Sequence, residues 1–241
     1  ELETIAEMLD RQGYAADRVM AALRARGFDD AKLGRLASLI VEELRKGLEA
    51  ARNARAEALF KAEVAAGRIQ FRLRLDGRNW RMPFSIETTE PEKARQLLNR
   101  AGGPLEKSLF APVYENELNS DERDVAVYLD GEKTLAWWHR NVARTQYGIQ
   151  GWKKAKIYPD FIFAVQRDGE AKRITVLETK GDQLDNLDTA YKREALSFLS
   201  DHFEWDEATP VGELELVNNG ETVEGTLILM SEWKAKLPAY L

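Results

Sequence analysis

The segment that most constrains the fold is residues 158–181, YPDFIFAVQRDGEAKRITVLETKG. Two apolar runs, FIFAV and ITVL, lie on either side of a DG pair, an arrangement typical of two β-strands joined by a short turn. Such nearly continuous apolar runs are expected in the middle of a sheet that is covered on both faces. Charges stand at the strand ends, because Asp160 precedes the first run and Glu178 and Lys180 end the second.

These charges fit the hydrolysis of a phosphodiester. Residues two apart in a strand point to the same face, so Glu178 and Lys180 share a face while Thr179 points to the other. Metal-assisted hydrolysis needs two or three oxygen ligands and a group that positions the attacking water. Asp160 and Glu178 supply oxygens, and Lys180 can hold the water or stabilise charge on the phosphate. The alternative, that these are ordinary strand-end charges, stays open at this point.

The register of the two strands decides whether Asp160 and Glu178 meet. A strict two-residue turn would pair Asp160 with Leu177 and leave Glu178 on the opposite side of the sheet. An odd-length loop or a bulge would instead pair Asp160 with Glu178 on one face. We therefore predict an odd-length loop or a β-bulge between these strands.

A third acid, Glu122, lies in a predicted helix. In NSDERDVAVYLDG, Ser120 is the predicted N-cap and Gly131 the terminator, so the helix covers about residues 121–129. Glu122 stands seven residues before Leu129 and therefore on the apolar stripe. An inward carboxylate needs a partner, which a metal ion would provide. The alternative is that Glu122 is one of the hydrated acids favoured in a first helical turn.

Basic and aromatic residues surround these acids. No acidic residue lies between Glu132 and Asp160. The basic residues in this stretch are Lys133, Arg140, Arg144, Lys153, Lys154 and Lys156. The interleaved aromatic residues are Trp137, Trp138, Tyr147, Trp152 and Tyr158. Cations beside an acidic cluster attract a phosphate backbone while the acids hold the ion. For the adjacent tryptophans of TLAWWHRN we expect one in the core and one facing outward.

Residues 1–104 are predicted to form a helical region with a β-hairpin. Two short helices end at Gly13 and Gly27, and one long helix runs from residue 31 to 66. Its predicted apolar stripe is Leu33, Leu36, Ile40, Leu44 and Leu48. The alternation in residues 69–86, IQFRLRLDGRNWRMPFSI, predicts an antiparallel hairpin, and a short helix follows near residues 91–101. AGGP at 101–104 marks the boundary to a second domain, 105–241.

In residues 105–241 the pattern predicts a helix, three strands, a second helix and two strands. This order indicates the α/β class, a mixed sheet with flanking helices. The last two strands, in ELELVNNGETVEGTLILM, are predicted to form a hairpin around NNG that extends the sheet. Four glutamates make this hairpin acidic, so we expect DNA to lie elsewhere.

The composition of the chain limits which side chains can bind metal or catalyse a reaction. The chain has no cysteine and two histidines, which excludes thiolate and multi-histidine metal sites and leaves carboxylates and lysine for catalysis. No apolar run reaches the ~18 residues of a membrane span, so we expect a soluble protein without a membrane segment. The lack of cysteine fits a reducing compartment, and we expect the protein to be cytoplasmic. The net charge of −6 argues against a protein that binds nucleic acid through its overall charge. Because the chain starts at Glu1 without a secretion signal, we interpret it as a fragment of a longer protein.

The motif order resembles the PD-(D/E)XK nuclease fold. The matching segments are the SDER helix, the WWHRN, YPDFIF and LETKG strands, and the LDNLDTAYKREAL helix. More narrowly, the chain resembles the endonuclease region at the C-terminus of type III restriction enzyme subunits and related DEAD/DEAH-box helicase proteins. The resemblance covers roughly residues 107–202 and implies a restriction-endonuclease-like fold.

The resemblance implies Mg²⁺-dependent cleavage of DNA, with Mn²⁺ able to substitute. Asp160 and Glu178 would be metal ligands, Glu122 and the backbone carbonyl of Thr179 would complete the shell, and Lys180 would act near the nucleophile. Lys192 matches a lysine of the family's following helix and would contact phosphate. The expected DNA-binding residues are Arg140, Arg144, Lys153, Lys154, Lys156 and Lys192.

The expected function is therefore that of a metal-dependent DNA endonuclease domain in a helicase-linked restriction or defence protein. Since no GxxxxGK[ST] loop occurs in the chain, the helicase or ATPase motor, or a recognition domain, would belong to another part of the same polypeptide or complex. The alternative is a catalytically inactive module of the same fold that binds nucleic acid or braces a helicase. A third reading makes the N-terminal helices an oligomerisation or docking arm. The sequence leaves the oligomeric state, the recognition sequence and the cut position open.

Overall fold

The computed structural model describes residues 2–69, 85–86, 93, 95–167, 170–181, 187–202, 208–211, 214–217 and 222–241. Backbone contacts divide the chain into two compact units, Glu1–Lys61 and Ala62–Leu241. The boundary predicted after Pro104 falls inside the second unit and stays a prediction. The hairpin predicted over residues 69–86 lies almost entirely outside the described residues.

The first unit is helical, as predicted. Its helices are α1 (Leu2–Arg11), α2 (Ala16–Ala25), α3 (Asp30–Arg35) and most of α4 (Ala37–Ala65), whose last four residues are counted in the second unit. Gly13 and Gly27 follow α1 and α2 with φ of 74° and 86°, the left-handed conformation that favours glycine at a helix end. The single helix predicted from residue 31 is wrong at one position, because Leu36 leaves helical geometry at φ −106° and ψ 10° and separates α3 from α4.

The break at Leu36 also changes the predicted apolar stripe. Leu33 and Ile40 lie in the core of the first unit, with Ile5 and Leu9 of α1. Leu36 and Leu48 are exposed, so the stripe is wrong at these two positions. Leu36 lies outside the helical repeat, and the core of this unit ends before Leu48.

The second unit is built around a mixed sheet. Its main elements are α5 (Ser120–Gly131), β1 (Leu135–Arg140), β2 (Phe161–Arg167), β3 (Glu170–Lys180), α6 (Leu187–His202), β4 (Ala208–Val211), β5 (Leu214–Val217), β6 (Thr222–Leu229) and α7 (Trp233–Lys236). Short 3-10 helices cover Glu115–Glu117 and Leu237–Tyr240. The larger sheet has the order β1-β2-β3-β6, in which only the β3–β6 pair is parallel. The α/β class is therefore confirmed.

Two predicted local structures of this unit are wrong. Residues 95–101 are not helical, since Gln96 and Leu98 form bridges with Tyr114 and Pro104. The predicted C-terminal hairpin is not formed either, because β5 pairs with β4 in a separate ladder. β6 does extend the sheet, but as a parallel neighbour of β3, a pairing for which α6 provides the long connection.

The sheet separates two cores. Phe161, Phe163 and Leu177 point to the face covered by α5, while alternate residues of the same strands, such as Ile162 and Val176, pack under α6. Trp138 is fully buried on the α5 face. Trp137 points to the opposite side of the sheet, but the prediction that it faces outward is wrong, because it packs partly buried on the α6 side. Both faces are thus covered, which explains the continuous apolar runs.

The β2–β3 pairing contains the predicted bulge. Phe161 pairs with Leu177, and the register shifts between Val165 and Gln166, so that Lys172 of β3 is skipped in the pairing with the described residues of β2. The pairing ends at Phe161 and Leu177. The backbone nitrogen of Asp160 donates to the Leu177 oxygen at 2.9 Å, and the predicted pairing of Asp160 with Glu178 stays a prediction. The prediction of a bulge between these strands is confirmed. Asp160 and Glu178 lie at the same end of the sheet.

A buried aspartate fixes α5 to the sheet, and its removal is expected to destabilise the second unit. Asp130 accepts hydrogen bonds from Trp138 Nε1 at 3.0 Å and from the backbone nitrogens of Glu106 and Lys107 at 3.0 and 2.9 Å. Because Asp130→Ala leaves three donors without this acceptor, we expect a loss of about 2–4 kcal/mol in the free energy of unfolding, measured by urea denaturation. Asp124→Ala, exposed on the same helix, should change it by less than about 0.5 kcal/mol. Equal effects of the two substitutions would contradict this account.

Candidate carboxylate site at the end of the central strands

Asp160 is held in place at the start of β2 by the neighbouring strand. Its Oδ2 accepts hydrogen bonds from the backbone nitrogen and the Oγ1 of Thr179, each at 2.7 Å. Its backbone nitrogen donates to the oxygen of Leu177 at 2.9 Å. Thr179 is therefore engaged through two donors, and the use of its carbonyl as a metal ligand stays a prediction.

Asn141 is a positioning residue that the sequence analysis missed. It is 2% exposed. Its backbone nitrogen donates to the backbone carbonyl oxygen of Asp160 at 2.8 Å. Its Nδ2 donates to the Pro159 oxygen at 2.8 Å and to the Tyr147 oxygen at 2.9 Å, and its Oδ1 accepts from the Tyr147 nitrogen at 3.0 Å. The signal available in the sequence was an amide directly after an apolar strand. Asn141 thus fixes the backbone on which Asp160 sits.

Glu178 is buried at the end of β3, with 4% of its surface exposed. Its Oε1 accepts a hydrogen bond from Lys192 Nζ of α6 at 2.6 Å. Its Oε2 is buried and has no hydrogen-bond partner among the described residues. A carboxylate oxygen in this state is costly, and it is a natural place for a cation.

The two acids oppose each other's ionisation. Burial raises the pKa of Glu178 to about 7, and the charge of Asp160 adds to the effect, while Lys192 opposes it. Burial also raises the pKa of Asp160, against the hydrogen bonds from Thr179, and the charge of Glu122 contributes in the same direction as burial. A divalent cation bound at these carboxylates would relieve the repulsion between their charges.

Glu122 faces inward, as predicted, but it is already engaged. Asn119, not the predicted Ser120, is the N-cap of α5. Glu122 Oε2 accepts from the Asn119 nitrogen at 3.0 Å, and the Glu122 nitrogen donates to Asn119 Oδ1 at 2.9 Å, which completes a capping box. Arg140 Nη2 lies 3.6 Å from the same oxygen. The contacts of Glu122 therefore fit, in large part, the alternative that it is an acid favoured in the first turn of a helix.

The three acids are not gathered as one ligand shell. Among the described residues, no three His, Cys, Asp or Glu side chains are grouped so that they could hold a metal ion. The structure places Asp160 and Glu178 at adjacent strand ends, with Glu122 near enough to influence the pKa of Asp160. Lys192 and Arg140 stand beside Glu178 and Glu122 instead. The shared coordination of one ion by all three acids stays a prediction.

Lys180 lies beside Glu178 at the end of β3. Its charge lowers the pKa of Glu178, after the larger influences of burial, Asp160 and Lys192. The side chain is partly exposed and forms no ion pair within the described part of the chain. The ammonium group of Lys180 therefore lies at the same end of the sheet as the carboxylates of Asp160 and Glu178.

Residues 151–156, which we call the basic loop, carry the predicted DNA-binding residues Lys153, Lys154 and Lys156, and the loop is docked on α6 at Tyr191, the neighbour of Lys192. Trp152 packs edge-on against Tyr191 with ring centroids 5.1 Å apart, and Lys153 Nζ lies 4.4 Å from the centroid of the same ring. A Cβ at Gly151 would come within 2.5 Å of the Tyr191 hydroxyl, so this close approach requires glycine. Lys154 and Lys156 remain exposed. The loop therefore presents cations close to the residue that pairs with Glu178.

The remaining predicted DNA-binding residues lie after β1 or at its end. Arg144 is exposed in the turn that follows, with φ of 69°, and Arg140 is the partner of Glu122. Arg140 also lines a cavity of about 660 Å³ whose wall includes Leu109, Phe110 and Gln146. Arg140 thus connects the acidic end of the sheet with this cavity.

Comparisons with known proteins found no match to the chain among family models, curated proteins or solved structures. In the described residues, every helix is too short or too polar to cross a membrane.

The raised pKa of Glu178 predicts a pH dependence of stability in the absence of metal. The folded chain holds this proton more tightly than the unfolded chain, so stability falls as the pH rises from the ordinary pKa of 4.5 towards the folded value of about 7. Glu178→Gln removes the titration. We expect the variant to gain about 3 kcal/mol relative to the parent between about pH 4 and pH 8, measured by urea denaturation with chelator present. Parallel pH profiles for the two proteins would show that Glu178 is not destabilised by burial.

Proposed function

We propose that this chain is a Mg²⁺-dependent DNA endonuclease module. The proposal depends on one observation: Asp160 and Glu178 lie at the ends of adjacent central strands, where the charge of Asp160 raises the pKa of Glu178, and one buried oxygen of Glu178 has no hydrogen-bond partner in the described part of the chain. The donor set fits the ion, because Mg²⁺ prefers carboxylate and carbonyl oxygens. Mn²⁺ has the same preference and is expected to substitute.

Asp160 and Glu178 would hold the ion, with Glu122 and the Thr179 carbonyl as further candidate ligands. The ion, when bound, supplies Lewis-acid activation of a water and neutralises charge on the phosphate. Thr179 and Asn141 keep Asp160 oriented before any ion arrives. Lys180 is placed to orient the nucleophile or to stabilise charge on the phosphate.

The basic loop and Lys192 would bind the DNA backbone. Lys153, Lys154 and Lys156 lie on the loop docked against Tyr191 of α6, one residue from Lys192. Phosphate contacts of this kind set position without reading sequence. Because the chain has a net charge of −6, a helicase motor or recognition domain of a longer restriction or defence protein would supply most of the affinity. A cytoplasmic location would follow from that role.

A second candidate is an inactive nucleic-acid-binding module of the same fold. It is favoured by one observation, namely that Lys192 and Arg140 already neutralise Glu178 and Glu122. Permanent ion pairs of this kind would support the fold and compete with any metal for the same oxygens. The two candidates differ in whether the acids are needed for catalysis.

Plasmid nicking distinguishes the candidates. Supercoiled plasmid is incubated with Mg²⁺ or Mn²⁺ and the parent chain, Asp160→Asn or Lys180→Ala. An active nuclease should lose on the order of 100-fold or more in nicking rate in each variant, because each removes a group from the reacting centre. Asp201→Asn, exposed near the end of α6, is the matched control and should retain full activity.

Two outcomes would overturn the nuclease proposal. Equal nicking by the parent and both site variants would assign the cleavage to a contaminant. DNA binding without nicking under any metal condition, repeated with the longest available form of the protein, would favour the inactive module.

The basic loop should contribute to the salt dependence of DNA binding. Lys154→Ala combined with Lys156→Ala removes two exposed cations. If both contact phosphates of duplex DNA, the slope of log K against log salt should become shallower by about 1.8. Binding is measured by fluorescence anisotropy in chelator, so that no cleavage occurs. Lys234→Ala, exposed elsewhere in the second unit, should leave the slope unchanged, and an unchanged slope in the double variant would exclude the loop from the interface.

A further inference from the structure

Lys192 blocks access to the Glu178 carboxylate. Its Nζ lies 2.6 Å from Oε1 of Glu178, and only 5% of the Glu178 side chain is exposed. The other oxygen, Oε2, is buried and has no hydrogen-bond partner among the residues that the structure describes. A cation arriving from solvent therefore finds one oxygen occupied by an ammonium group and the other enclosed by protein. It can reach Glu178 only if Lys192 moves.

A second acid lies close to the Lys192 ammonium group. Asp188 lies one turn earlier on α6, with its Oδ2 at 4.0 Å from Lys192 Nζ, and its side chain is 55% exposed. The basic loop lies on the same part of α6, through the contact of Trp152 and Lys153 with Tyr191. A small rotation of the lysine side chain thus leads from the buried acid to the edge that we assign to the DNA backbone.

We propose that Lys192 is a resident cation whose place at Glu178 is taken by the divalent ion, and that its ammonium group is then released towards the phosphates of bound DNA. The inference rests on the proposed function, because it requires an ion at Glu178. Two positive groups in contact with one buried carboxylate repel each other strongly where the dielectric is low. Exchange avoids this repulsion, and the carboxylate has a cationic partner both before and after it.

The exchange makes ion binding and DNA binding mutually supportive. An ion at Glu178 frees an ammonium group that can contact phosphate, and phosphate that holds this group leaves Glu178 open to the ion. By linkage, each ligand then raises the affinity for the other by the same factor. In the absence of both ligands the Lys192–Glu178 pair keeps the acidic end of the sheet neutralised.

The test measures the chemical reactivity of Lys192 and does not depend on cleavage. The parent chain is acetylated briefly with an N-hydroxysuccinimide ester, with and without saturating Mn²⁺, and modification of each lysine is read by peptide mass spectrometry. Mn²⁺ binding is measured on the same samples by electron paramagnetic resonance. Lys133, which is exposed, serves as the internal reference. Glu178→Gln provides the released state, since Lys192 has lost its buried partner.

We expect Mn²⁺ to raise the acetylation rate of Lys192 roughly tenfold relative to Lys133, towards the rate in metal-free Glu178→Gln, as expected for release from a protected position. Mn²⁺ that binds stoichiometrically while Lys192 stays protected would overturn the exchange and leave the nuclease proposal intact. Absence of Mn²⁺ binding would overturn both. Because the decisive comparison uses the unmodified sequence, it does not depend on a variant that folds poorly.

Discussion

The register between β2 (Phe161–Arg167) and β3 (Glu170–Lys180) is the constraint on which the site depends. The bulge at Lys172 sets Phe161 opposite Leu177, with Asp160 before the one and Glu178 after the other at the same end of the sheet. With the alternative parity, Val176 would share the face of Phe161, and Glu178 would point towards α5, away from Lys192 of α6. The same parity assigns Phe161 and Leu177 to one core and Ile162 and Val176 to the other. Folding of the cores and assembly of the acids are therefore one event.

The buried carboxylates of the site lower the stability of the fold that positions them. Glu178 and Asp160 both have raised pKa values because burial disfavours their charged forms. The fold tolerates this through local compensation: Lys192 pairs with Glu178, Thr179 donates twice to Asp160, and the capping box satisfies Glu122. Buried, destabilised acids with reversible partners are typical of sites that bind cations.

Much of this unit could be predicted from the sequence, because the deciding signals are local. The period of two in the strands, the parity of the hairpin and the inward position of Glu122 follow from spacing alone. The partner of β6 did not follow, since NNG favours a hairpin locally, whereas burial of β6 against β3 decides the pairing. The predicted cap at Ser120 was wrong because the preceding Asn119 is equally suited to cap.

The contacts around the site were the least predictable part. The Lys192–Glu178 pair joins residues 14 positions apart, and it arises only when α6 crosses back over the sheet. Asn141 contacts Pro159 across 18 positions, and nothing in its immediate neighbourhood specifies that partner. Such contacts depend on the path of the chain in space, which periodicity does not give.

The place of β3 in the sheet has a consequence for how the protein would respond to heating. Glu178, Thr179 and Lys180 belong to a strand that is paired on one edge with β2 and on the other with β6. Strands bonded on both edges and covered on both faces open only with the whole domain. The triplet to which we assign catalysis is thus anchored in the part of the protein that melts last, and thermal inactivation should coincide with global unfolding rather than precede it.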